Sequence, residues 1–185
     1  MNLYFRFLWL VICSLFKPKI TDLLAPSTLR YRVFPTDMDF NFHMNNGRYL
    51  SVMDLGRFDL IFRTGILSQM LKEKAIPVLS AAQVRYRLQL HFWEPYDMET
   101  RIMCWDDKWV YIQQRFIVLK GKRAGETAAI ALFKGAFYSR KNRATVPTSE
   151  ILEKIGFDTQ SPETPDFVAD WIKAEDTFRD HGRSL

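Results

Sequence analysis

Residues 35–65 pass from a polar loop into an almost unbroken apolar helix, and the rest of the chain is read around them. The loop holds Asp37, Asp39, Asn41, His43, Asn45 and Asn46. Asn45 or Asn46 is a natural N-cap, and no proline interrupts the chain before Pro77. Tyr49, Leu50, Val52, Met53, Leu55, Phe58, Leu60, Ile61 and Phe62 spread around most of the helical circumference. A helix apolar on nearly all sides is normally surrounded by protein. Arg63-Thr64-Gly65 supplies the cation and the glycine that end it.

Elsewhere the pattern is mostly period two. Thr28 to Phe34 reads as a strand entering the polar loop, and Ile66 to Lys74 as a second helical piece. Val84, Tyr86, Leu88 and Leu90 alternate with polar residues and predict a long half-buried strand. Glu94-Pro95-Tyr96-Asp97 predicts a turn before a strand from Met98 to Trp105. Asp106-Asp107-Lys108 then makes a hairpin into Trp109–Leu119, and Lys120–Glu126 turns into Thr127–Tyr138. Connections this short imply antiparallel neighbours. The sum is an α+β architecture, a sheet wrapped around one buried helix. In the tail, Ser149 is placed to cap a helix over Glu150–Ile155 that Gly156 ends. Thr164-Pro165 opens a segment in which Phe167, Val168, Trp171 and Ile172 share a face.

The N-terminus has a similar apolar run, Phe7 to Phe16, with Arg6 before it and Lys17 and Lys19 after it. Ten residues fall short of the roughly 20 that span a bilayer, and bulky Leu15 and Phe16 leave no small-residue cleavage site. The run is expected as a short helix, packed on the domain or lying in a membrane interface with basic ends at head groups. Packing is the preferred placement, and the expected setting is cytoplasmic, with residues 1–19 as the place of any peripheral membrane contact.

Composition narrows the partners. At 185 residues the chain has the size of one domain, and 48% hydrophobic with 15% aromatic content excludes disorder. A net charge of +5 points to an anionic ligand: a phosphate, a lipid head group or nucleic acid. No basic helix or aromatic-basic strand motif accompanies the charge, which argues against nucleic acid. Cys13 and Cys104 form no disulfide framework, His43, His91 and His181 are scattered, and no metal site is expected.

Thioester chemistry fits the polar loop. Hydrolysis needs a group that activates water or attacks the carbonyl, and donors for the developing oxyanion. Asp39 suits the first role and helix N-terminal amides the second. The structural alternative for Asp39 is an Asx-turn. Arg85, Arg87, Lys134, Arg140, Lys141 and Arg143 are candidates for CoA phosphates or for a solvated face. Cys104 reads as an apolar strand residue.

The order strand, Asp37-x-Asp39, His43-Met44-Asn45-Asn46-Gly47-Arg48-Tyr49-Leu50, buried helix, four strands, with Trp105-Asp106-Asp107, resembles hot-dog fold acyl-CoA thioesterases. Within the 4-hydroxybenzoyl-CoA thioesterase-like type it is similar to the thioesterase-superfamily-member-six-like group. The resemblance implies a hot-dog domain over 27–145, with an apolar helical segment and connector at 1–26 and a helical extension at 146–185. It implies an antiparallel sheet of about five to six strands, and hydrolysis of an acyl-CoA to free acid and CoA without a cofactor. Asp39 would be base or nucleophile, with His43 beside it. Phe42, Asn45, Asn46, Gly47 and Tyr49 would contact substrate, and Asp54, near Arg57, is the alternative carboxylate. A homodimer or homotetramer with interfacial sites is also implied. Many relatives carry glycine where Phe42 stands, and phenylalanine there would narrow the pocket mouth or move the loop. The competing reading is a catalytically weak acyl-CoA or lipid-binding hot-dog protein at a membrane surface.

Overall fold

The computed structural model describes residues 2–184. Strands β1 (Ser27–Arg32), β2 (Ala75–Tyr86), β3 (Pro95–Trp105), β4 (Val110–Val118), β5 (Thr127–Ser139) and β6 (Ala144–Val146) form one sheet, antiparallel throughout. Its order is β1-β3-β4-β5-β2, with β6 beside β5. The helices are α1 (Asn2–Phe16), α2 (Asn46–Thr64), α3 (Ile66–Lys72), α4 (Thr148–Ile155) and α5 (Asp166–Ser184). Five long strands curled on one central helix make the hot-dog architecture.

Helix α2 begins where expected. Asn45 is the N-cap, its Oδ1 accepting from the Gly47 amide at 2.9 Å, and Gly65 closes the helix with φ of +87°. Val52, Met53 and Leu55 are buried against Met98, Phe116, Ala131 and Phe133 of the sheet. The opposite side is covered by α1. Phe7 of that helix stands edge-on to Phe58 and Phe62, with centroids 5.1 and 6.0 Å away, and Leu10 is buried beside them. The apolar N-terminal run is therefore the second wall around α2, in the packed placement that its composition favoured. Its other face is different. Tyr4, Phe5, Leu8, Trp9, Ile12, Leu15 and Phe16 all point outward and are exposed.

Three boundaries depart from the expected pattern. The strand placed over Val84–Leu90 is centred earlier, at Ala75–Tyr86, and Leu88 and Leu90 lie beyond it. Leu90 is buried all the same, because its carbonyl accepts from the Met44 amide and draws that connection into the core. The predicted turn at Glu94–Asp97 mostly belongs to β3, since Tyr96 pairs with both Tyr31 and Val118 and is fully buried. In the tail, Pro147 rather than Ser149 precedes α4, and no side chain caps it. Proline's fixed φ and missing N–H suit a helix entry without a capping hydroxyl. The short β6 carried no alternation long enough to be read.

At its middle, α2 approaches the sheet through Gly56. A Cβ there would stand 2.2 Å from Thr100 Oγ1 and 2.6 Å from Gln114 Nε2. Both partners are fixed, since Gln114 Nε2 donates to Thr100 Oγ1 at 2.7 Å and to the Met53 carbonyl at 2.9 Å. Gly56→Ala is accordingly expected to lower unfolding free energy by about 2 kcal/mol, the usual scale of overpacking. Denaturant melts of the two proteins check it, and equal midpoints would refute the close approach.

Candidate active site

The polar loop folds back on itself between β1 and α2. Pro35–Asp37 makes one 3-10 turn, Met38 and Met44 form an antiparallel bridge, and the Asp39 amide donates to the His43 carbonyl at 3.0 Å. The loop is tied down by Asp37, which is completely buried. Its carboxylate accepts from Arg6 of α1, from Arg48 of α2 at 3.1 Å and from the Phe34 amide at 3.0 Å. Its backbone carbonyl takes the Asn45 amide at 2.8 Å. Removing a partner from a buried ion pair typically costs about 3–5 kcal/mol, because it leaves the other charge stranded. Asp37 is thus a structural carboxylate. Arg6, read from sequence as a flanking charge facing lipid, is instead internal. Its guanidinium also donates to the Arg32 carbonyl and lies over the Tyr31 and Phe34 rings.

Asp39 and His43 are brought together. His43 Nδ1 is 3.7 Å from Asp39 Oδ1, and both side chains are about four-fifths buried. The same oxygen of Asp39 accepts from the Asn41 amide at 2.9 Å, so the residue forms the Asx-turn as well as facing the histidine. Asn45 caps α2, and the Gly47 amide is occupied by that cap, so an oxyanion seated there would compete with Asn45. The Asn46 carbonyl accepts from the Tyr86 hydroxyl at 2.9 Å. Tyr49 is a core residue between Tyr86 and Phe116, and burial pushes its phenol above the usual range, which keeps it neutral.

Phe42 adopts φ of +58° with its ring 78% exposed. A bulky residue in the left-handed region costs about 1 kcal/mol, which explains why glycine suits this position. Its ring projects to solvent beside the equally exposed Phe40.

A cavity of about 200 Å³ lies between α2, the sheet and α4. Its lining is almost entirely apolar, including Phe58, Ile61, Ile102, Trp105, Phe133 and Ile151, and its polar edge is Asp54 with Arg57. Asp54 is half exposed and pairs with Arg57, which also donates to Gln114 Oε1 at 2.7 Å and stacks on Phe133. Burial pulls the Arg57 guanidinium below its ordinary value, against the raising effect of Asp54. A polar chain, Thr100–Gln114–Arg57–Asp54, therefore runs from the sheet to the cavity edge. Sequence patterning does not reveal it, because Thr100 and Gln114 stand at strand positions that read as ordinary alternation. Among the proposed phosphate contacts, Lys134 is buried and paired with Glu175 and Asp176 of α5, whereas Arg85 and Arg87 are exposed. Burial raises the Cys104 thiol, as an apolar strand position would. Among the described residues no group of three metal-ligating side chains gathers.

The curled sheet around α2, with a folded Asp-x-Asp loop at its start, defines the class: a hot-dog domain of the thioesterase type. Residues 33–172 match the model of the thioesterase-like superfamily, and the chain belongs to that family. Protein THEM6 of Xenopus laevis is 34% identical over 90% of this chain and 77% of its own length. Among solved structures, the YbaW probable thioesterase of Escherichia coli superposes with a TM-score of 0.63 at 19% identity, covering 69% of this chain and 95% of YbaW. The hypothetical protein SAV2348 of Staphylococcus aureus, solved in complex with CoA, gives 0.63 at 13% identity, covering 74% and 85%.

Proposed function

We propose that the protein hydrolyses an acyl-CoA thioester to free acid and CoA, with Asp39 as general base or nucleophile and His43 as its partner. The observation that carries this reading is the folded loop, which places the Asp39 carboxylate and the His43 imidazole together at the start of a buried helix. Membership of a thioester-hydrolase family and a fold shared with a CoA-bound protein support it. The apolar cavity beside α2 supplies room for an acyl group.

A second carboxylate has its own observation. Asp54 edges the cavity, whereas Asp39 does not line it. Asp54 stands eight residues beyond Asn46, or roughly 12 Å along the helix at 1.5 Å per residue. Thiol release should be followed with short, long and aromatic acyl-CoAs for the wild type, Asp39→Asn and Asp54→Asn. Loss of a general base is expected to lower turnover by about 10²–10⁴-fold. That loss should fall on Asp39→Asn with the melting temperature retained. The same loss on Asp54→Asn alone would transfer the role to Asp54. No release by the wild type from any thioester would favour the acyl-CoA or lipid-binding reading.

The acyl-CoA site is proposed to lie in a homodimer. Strand β2 is the edge of the sheet, twelve residues long, paired on one side to β5, and it exposes Leu79 and Tyr86. Long uncovered edges of this kind pair with another chain unless blocked. Light scattering at micromolar concentration is expected to give at least twice the 21.8 kDa chain mass. A constant 21.8 kDa would overturn the dimer.

Peripheral membrane contact through residues 1–19 is also proposed, from the seven large apolar side chains on the outer face of α1. They expose on the order of 800 Å², above the roughly 300–600 Å² of the largest patch on a typical monomer. No described helix is long and apolar enough to cross a membrane. Before Asp22 the chain has no carboxylate, and Lys19 is exposed. The full chain should sediment with anionic vesicles, and Phe5→Glu with Trp9→Glu should release it without changing the melting temperature. Equal recovery of both proteins in the supernatant would remove this contact.

A further inference from the structure

The cavity beside α2 has two unlike ends. Its exposed lining, Asp54, Pro77 and Leu79, marks the mouth. Its floor is closed by one face of α4, where Thr148, Ile151 and Leu152 are 2–3% exposed. Ile151 packs there with Ile61 and Val146, so the floor lies by the C-terminal part of α2. From Asp54 to Ile61 the helix runs seven residues, about 10 Å at 1.5 Å per residue. The space is elongated, and its volume of about 200 Å³ equals roughly seven water-sized volumes of ~30 Å³ each. An extended aliphatic chain of about seven or eight carbons fills such a space better than a single ring does.

The floor is not wholly apolar. Thr148 Oγ1 is buried and has no hydrogen-bond partner, although nearly all buried hydroxyls find one. The groups around it in the cavity are hydrocarbon: Ile151, Leu152, Ile66 and Phe137. A saturated acyl tail would leave this hydroxyl unsatisfied. A tail that carries an oxygen near its far end would not.

We propose that this cavity takes a medium-length acyl group bearing a hydroxyl at or near its distal carbon, with Thr148 as the residue that recognises that hydroxyl. The inference rests on the acyl-CoA reading for the thioester end and adds the class of acyl group. Helix α4 sets the length limit, because its side chains end the cavity. Thr148 touches the tail of the substrate and no reacting atom, so it is a specificity residue.

The test uses the full chain with octanoyl-CoA and 8-hydroxyoctanoyl-CoA, and in parallel titrates free octanoate and 8-hydroxyoctanoate calorimetrically. The variants are Thr148→Val, which keeps the shape and removes the hydroxyl, and Thr148→Ser, which keeps the hydroxyl. Wild type should prefer the hydroxylated probe about tenfold in kcat/KM and in affinity. Thr148→Val should abolish or reverse that preference with the saturated probe bound at least as well, and Thr148→Ser should restore it. Hydrolysis of both thioesters with no preference, or a preference unchanged in Thr148→Val, overturns the assignment while leaving the thioesterase reading intact. Absence of hydrolysis with a Thr148-dependent preference among the free acids upholds the assignment and counts against the thioesterase reading alone.

Discussion

The buried carboxylate of Asp37 holds the functional end of this molecule together. Its oxygens receive Arg6 from the N-terminal helix, Arg48 from the central helix and the backbone of Phe34, and its carbonyl receives the residue that caps the central helix. One desolvated negative charge therefore joins α1, the end of β1, the polar loop and the start of α2. A carboxylate without solvent is tolerable only when its partners are correctly placed. Each partner's position is thereby constrained, and the loop bearing Asp39 and His43 inherits that constraint. A similar arrangement stands nearer the other end of α2. There Asp59, also fully buried, takes Arg63 at 2.9 Å and Ser27, with Lys17 at 3.6 Å, and so fixes the connector that follows α1.

Between these two anchors the central helix approaches the sheet unevenly. Gly56 allows close contact with Thr100 and Gln114, and beyond it the side chains of α2 and the sheet leave the cavity. Gln114 links the two regions, since it braces the close approach and also fixes Arg57, which in turn holds Asp54 at the cavity edge. The interior polar atoms are thus used to orient charged groups at a space suited to an apolar ligand. The outer face of α1 belongs to a different regime. The helix that covers α2 with Phe7 and Leu10 turns its other apolar side chains outward, so its sequence is hydrophobic for two separate reasons.

Much of this organisation was legible along the chain. The polar loop, the Asn45 cap, the Gly65 stop and the hairpin strands from Met98 to Tyr138 are local signals, written in side-chain period and turn chemistry. The motif running from Asp37 to Leu50 led to the hot-dog thioesterase family, and the family match agrees. What failed to read correctly lies at the sheet edge and in the connections. The edge strand β2 is half exposed on both faces and contains Pro77, so its alternation is blurred. Tyr96 was read within a turn because Pro95 precedes it, yet two neighbouring strands pair with it and make it core.

Sequence by itself determined the class of fold, the location of the polar loop and the identity of the carboxylates available for chemistry, because each depends on neighbours in the chain. Tertiary structure alone decided which of those groups meet. Arg6 and Asp37 are separated by 31 residues, and Arg57 and Gln114 by 57. No periodicity records that an arginine in an apolar helix will be internal, or that Thr148 will end a cavity begun at Asp54. Those facts arise from long-range packing, where burial turns a polar atom from a solvated group into one that must find its partner.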